Sequence, residues 1–143
     1  MMSIFRTVDV AASAMSAQRL RMDIASANLA NAETTRTPEG GPYRKQSVVF
    51  AAESSRLSAS AVRAGRIAGG VRVERIVADS TPPAMRYQPG HPDADAEGYV
   101  RFPNVNPTEE MVDLIAAARS YEAGLSVVRV AKQLLQATLN LVR

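Results

Sequence analysis

The sequence predicts an α+β fold in which long N- and C-terminal helices pair as a coiled coil, with a small antiparallel β-rich middle unit between them. Three observations predict it. Apolar residues recur at steps of three and four at both ends of the chain, the spacing that lays one sticky stripe along a helix and demands a partner helix. In the middle the period changes to two. Pro and Gly gather where these regions meet, which is where a chain changes direction. The regions so defined are residues 1–33, 34–105 and 106–143.

The first region carries a stripe of Ile4, Val8, Ala11, Met15, Met22, Ala25 and Leu29, with Gln18 its only polar interruption. It is rich in Ala and Ser and poor in branched residues, so one helix is predicted over residues 3–31, about 42 Å long. Asn31 marks its end, and Thr34, Thr35, Thr37, Pro38, Gly40, Gly41 and Pro42 then hold the chain in a loop.

Four strand signals follow. Val48, Val49 and Phe50 form a short apolar run, and residues 71–77 are rich in β-branched side chains. Met85 and Tyr87 alternate with Arg86 and Gln88, while Val100 and Phe102 alternate with Tyr99 and Arg101. Between the first two strands, residues 54–70 read as a Ser-, Ala- and Gly-rich excursion. About 60 residues with so few large apolar side chains make a marginal independent domain.

The last region opens on a helix start. Asn106 can cap, Pro107 suits the first helical position, and Glu109 lies where it can reach back to the cap. Glu109, Glu110 and Asp113 set negative charge at the positive end of the helix dipole, with Arg143 at the other end. The stripe of this helix reads Met111, Leu114, Ala118, Tyr121, Leu125, Val128, Leu135, Leu139 and Val142, interrupted by Lys132. At about 54 Å such a helix is too long for the β unit alone to cover. It must pack on the first helix, on other chains, or on both. Both stripes are therefore read as an assembly seam. Gly124 in mid-helix costs about 1 kcal/mol relative to Ala and points to close approach of a neighbouring helix.

Composition narrows the function. Seventeen basic and fourteen acidic residues leave a net charge of +3, and the arginines are scattered rather than massed. With 5% aromatics and no Trp, base stacking is poorly served, and no nucleic-acid partner is expected. No Cys is present, so disulfide and thiolate chemistry are excluded. No apolar run reaches the roughly 20 residues needed to span a bilayer. Arg6, Asp9, Gln18, Arg19, Arg21 and Asp23 break up any secretory core near the N-terminus. The chain is expected to be cytoplasmic or exported without a cleaved signal.

No site chemistry stands out. Asp93, Asp95, Glu97 and Gly98 echo the first half of a calcium loop, but the twelfth position is Asn104 rather than a bidentate Glu, and no helices flank it. An acidic turn leading into the last strand is expected instead. Glu109, Glu110 and Asp113 are explained by the helix dipole rather than by acid–base work. Gly65, Gly69 and Gly70 lack the Lys-Ser/Thr of a phosphate loop. With a single His and no nucleophile–base pair, neither enzyme activity nor a cofactor is expected.

Several segments carry a family resemblance. Residues 27–34 (Ala-Asn-Leu-Ala-Asn-Ala-Glu-Thr, with Asn28, Leu29, Ala30 and Asn31) close the first helix in a motif that resembles the bacterial flagellar rod and hook proteins. Residues 38–44, residues 89–95, and residues 97–113 with Asn104, Asn106, Pro107 and Glu110 are similar to the proximal-rod members of that family. The resemblance covers nearly the whole chain except residues 54–70. It implies a non-catalytic subunit of the flagellar basal body, exported unfolded by the flagellar type III apparatus. Such a subunit stacks helically in the periplasmic rod, with its terminal helices in an inner coiled-coil layer. The partners implied are copies of itself, other rod proteins, ring–rod junction proteins, and the export apparatus in transit. A needle or inner-rod subunit is the alternative, disfavoured by the β middle. A wall-cutting enzyme would need a carboxylate in a deep cleft, and nothing here builds one.

Overall fold

The computed structural model describes residues 2–53 and 69–141. Helix α1 spans Met2–Ala30, strands β1 to β4 span Gln46–Ala52, Val71–Ala78, Ala84–Tyr87 and Tyr99–Phe102, and helix α2 spans Pro107–Leu141. The excursion assigned to residues 54–70 falls largely outside the described residues, as do Val142 and Arg143. The α+β class stands, and the helix ends fall within a residue or two of the sequence reading.

The helices end for local reasons. Asn31 stops α1 by donating from its side-chain amide to the Ala27 carbonyl at 2.9 Å and accepting from the Thr34 hydroxyl at 3.1 Å. Asn106 starts α2, accepting from the Thr108 amide at 3.1 Å. Glu109 reaches back, but it accepts from the Asn106 side chain at 3.2 Å rather than from its backbone.

The middle differs from a single β unit. The strands form two separate two-stranded antiparallel hairpins, β1–β2 and β3–β4. In the first, Val49 faces Arg75 while Phe50 faces Val73, so Glu74 is an extra residue that bulges the strand. In the second, Tyr87 faces Tyr99 and Ala84 faces Phe102. Alternation is clearest in β4, where Val100 and Phe102 are buried and Tyr99 and Arg101 are exposed. The Arg86 guanidinium lies over the Phe102 ring at 4.6 Å.

The β3–β4 loop is a turn with both its aspartates engaged. Asp95 accepts from the amides of Glu97 at 3.1 Å and Tyr99 at 2.7 Å. Asp93 accepts from the Thr35 hydroxyl at 2.7 Å, which docks the turn onto the loop after α1. Gly98 has φ +83°, and a Cβ there would meet the Tyr87 ring at 2.9 Å, so only glycine closes this turn without strain. Among the described residues, no cluster of three or more His, Cys, Asp and Glu is placed to hold a metal.

Candidate functional site: the junction of the two helices

The helices run antiparallel. Asn28 meets Glu110, Arg21 meets Asp113, and Met15 lies over Gly124. On α1 the predicted stripe faces this contact, with Ala11 and Ala25 buried and Val8, Met15, Met22 and Leu29 half-buried. On α2 the contact line is displaced by one residue. Glu110, Ala117 and Ala131 are buried there, with Gly124 in line with them, whereas the sequence pattern selected Met111, Ala118 and Leu125 and met an interruption at Lys132. Met111, Leu125 and Leu139 are exposed, while Leu114, Ala118, Tyr121, Val128 and Leu135 flank the contact half-buried.

The reason is distance. A Cβ added at Gly124 would lie 2.5 Å from the Met15 Cγ, so at this separation the centre line admits only Gly and Ala, and larger side chains are pushed to the flanks. Hydrophobicity selects the largest apolar residues, whereas a close helix pair selects the smallest.

At one end of this contact sits a buried polar cluster. Asn28, 1% exposed, satisfies all its amide groups. It donates to the Gln46 carbonyl at 2.8 Å and to Glu110 Oε2 at 2.9 Å. Its carbonyl oxygen accepts from the Gln46 amide at 2.9 Å and from the Tyr43 hydroxyl at 3.0 Å. Glu110, 3% exposed, is neutralised by Lys45, whose Nζ lies 2.7 Å from Oε1. One asparagine thus ties α1, the loop after it, β1 and α2 together.

The electrostatics follow from that burial. The hydrogen bond to Glu110 holds the Lys45 ammonium above its ordinary 10.5, outweighing the burial that pulls it down. Burial, and then the charge of Glu110, push the Tyr43 hydroxyl above 10.0. Beside an open groove lined also by Arg21, Phe50 and Asp113, the cluster has its groups spent on one another. Its chemistry is structural. The sequence motifs single out Asn28 and Glu110 but not their partners Tyr43, Lys45 and Gln46. The signal available was an amide and an acid at core positions of facing helices, since a buried acid needs a cation nearby.

The remaining marked residues are dispersed. Asn104 hydrogen-bonds Asp79 beyond β2, Asn106 and Pro107 start α2, and Leu29, Ala30 and Asn31 close α1. Gln18 is half-buried, and its side-chain oxygen is buried without a hydrogen-bond partner among the described residues.

Comparison with known proteins agrees with this picture of a structural subunit. The family described as "Flagella basal body rod protein" matches residues 9–36, and "Flagellar basal body rod FlgEFG protein C-terminal" matches residues 96–141. The chain is 44% identical to the flagellar basal-body rod protein FlgC of Yersinia enterocolitica, with 98% of each chain covered. It is 41% identical to FlgC of Borreliella burgdorferi, covering 99% of each. The Bacillus subtilis FlgC is also 41% identical, with 98% of this chain and 99% of that one aligned. Identity of this order along the full length of relatives from such different bacteria, with both terminal segments matched separately, places the chain in the FlgC family of flagellar basal-body rod proteins.

Proposed function

We propose that this chain is a subunit of the proximal part of the flagellar rod and assembles helically through its terminal helices, which form an inner coiled-coil layer with the β hairpins outside. It is a structural component of the basal body and not an enzyme, as its relatives are rod proteins along their whole length. The observation that carries the assembly reading is the apolar surface left over on α2. Val112, Ile115, Val127, Val130 and Leu134 remain between 42% and 61% exposed after α1 has packed. A helix apolar on more than one face asks for more than one neighbour.

Copies of the same chain, other rod proteins and the ring–rod junction are the neighbours this reading supplies. No helix of the described residues is long and apolar enough to cross a membrane. On this reading the chain reaches the periplasmic rod by passage through the flagellar export apparatus. A needle or inner-rod subunit is not favoured, because the relatives match over the β hairpins as well as the helices.

Complementation tests the reading. Cells lacking this chain should not swim, and their isolated basal bodies should lack the rod beyond its position. The wild-type chain and Arg72→Ala should restore both, while Leu135→Asp should not, because a carboxylate in the half-buried helix contact costs several kcal/mol. Full swimming with Leu135→Asp would remove the helices from the assembly surface.

A further inference from the structure

We propose that the apolar groove between the start of α1 and the later part of α2 receives the exposed apolar beginning of α2 from a second copy of this chain. The inference rests on the rod-subunit reading above and names the partner of one surface. Ile4 and Thr7 of α1 form one wall of this groove, and Val127, Val130, Ala131 and Leu134 of α2 form the other. Among the described residues no charged side chain lines it, and Val127, Val130 and Leu134 remain exposed to solvent there. Ala131 also belongs to the buried contact between the two helices, so a segment seated here would extend that contact to a third helix.

The occupant lies toward the other end of α2. Met111, Val112 and Ile115 are each more than half exposed. Met111 and Val112 precede Ile115 by four and three residues, so the three side chains share one patch of helix surface and form a short apolar ridge. Ridge and groove cannot meet within one chain. Ile115 and Val130 are fifteen residues apart on one continuous helix, a separation of about 22 Å. A second copy can bring them together.

Charge selects the same pairing. From Pro107 to Ile115, α2 carries Glu109, Glu110 and Asp113 and no base, whereas from Ala123 to Leu141 it carries Arg129 and Lys132 and no acid. Glu110 and Asp113 are held within the chain by Lys45 and Arg21. Glu109 is largely exposed, and its contact with Lys45 is stretched to 3.9 Å. It stands one turn before Val112, while Arg129 stands one turn after Ser126 on the rim of the groove. Neither Arg129 nor Lys132 forms an ion pair among the described residues. On α1 the charges of Arg6 and Asp9 cancel beside the groove, so this end is basic on balance. Ridge on ridge would bring acid to acid, and groove on groove would bring base to base. Ridge in groove surrounds an apolar centre with opposite charges. The two surfaces differ, so a copy that has filled its groove still offers its ridge to the next, and the contact propagates.

The chain has no native Cys, which makes a cross-link test clean. Val112→Cys or Ile115→Cys is combined in turn with Val127→Cys, Val130→Cys or Leu134→Cys, and basal bodies isolated from the cells are mildly oxidised. At least one pair should give a ladder of disulfide-linked multimers of this chain, and no single variant should do so. Within one chain even Ile115 and Val127 are about 18 Å apart along the helix, beyond the reach of a disulfide. Wild-type chain absent from basal bodies would overturn the rod reading itself. Chain present with no multimers from any pair, products that stop at a dimer, or groove cysteines linked only to a different protein would overturn this contact alone. A second readout covers pairs that block assembly. Ile115→Asp should leave thermal unfolding of the isolated chain unchanged, because that side chain is exposed within one copy. It should lower the chain recovered in basal bodies by about tenfold, since a carboxylate would enter an uncharged groove. Arg129→Glu with Lys132→Glu should lower recovery likewise, and wild-type recovery of either variant overturns the contact.

Discussion

Asn28 concentrates more of the fold into one side chain than any other residue described. Replacing it with Ala strands the Gln46 backbone and the Tyr43 hydroxyl and takes a donor from Glu110, so Asn28→Ala should destabilise the chain by about 3 kcal/mol in chemical denaturation. Tyr43 and Lys45 give the same cluster a pH dependence. Both bind their protons more tightly folded than unfolded, so their contribution is complete below about pH 10 and is lost as the pH rises through the folded values. The thermal midpoint should therefore fall across this alkaline range, and Tyr43→Phe with Lys45→Met should flatten the fall. Gln18 offers the opposite change. Its buried oxygen lacks a hydrogen-bond partner among the described residues, so Gln18→Met, similar in shape, should raise stability by about 1 kcal/mol. A lower melting temperature for that variant would mean the oxygen is solvated after all.

At the scale of elements, α1 and α2 approach closely because Gly124 gives Met15 room. Gly124→Val should cost about 2 kcal/mol, since the branched side chain displaces Met15 and the helix-propensity gain is too small to offset it. Wild-type stability for Gly124→Val would show that the helices can separate freely. Phe102→Ala should unfasten the β3–β4 hairpin, losing about 3 kcal/mol and the contact with Arg86. These elements were unevenly legible in the sequence. Periodicity and turn chemistry located the two helices and four strands of the described residues, because those signals act within a few residues of each other. Strand pairing was not legible: nothing in Val48 or Met85 says which strand lies beside it, and the expected single unit proved to be two hairpins. The α2 contact line was missed by one residue for a related reason, since the distance between helices is set by Gly124, Ala117 and Ala131 together and not by any one of them.

For the molecule as a whole, the buried apolar residues among those described are mostly alanines, with Val100, Phe102 and Val105 as the larger members. That is a thin core for 143 residues, and much of α2 stays uncovered. The isolated monomer should accordingly show weak amide protection toward both helix tips, with the firmest protection around Asn28 and Glu110. Full protection along α2 in a proven monomer would contradict this. Assembly should then raise helical content, readable by circular dichroism before and after polymerisation.

The amide of Asn28 also has a mechanical meaning. A force applied to the β1–β2 hairpin enters through Gln46, and from there one side chain divides it between α1 and, by way of Glu110, α2. Lys45 offers a parallel path to the same carboxylate. Flexing the hairpin against the helix pair would have to break several short bonds at once, so this joint behaves as a weld rather than a hinge. Whatever bends or twists the outer part of the subunit is delivered to its axis with little slack.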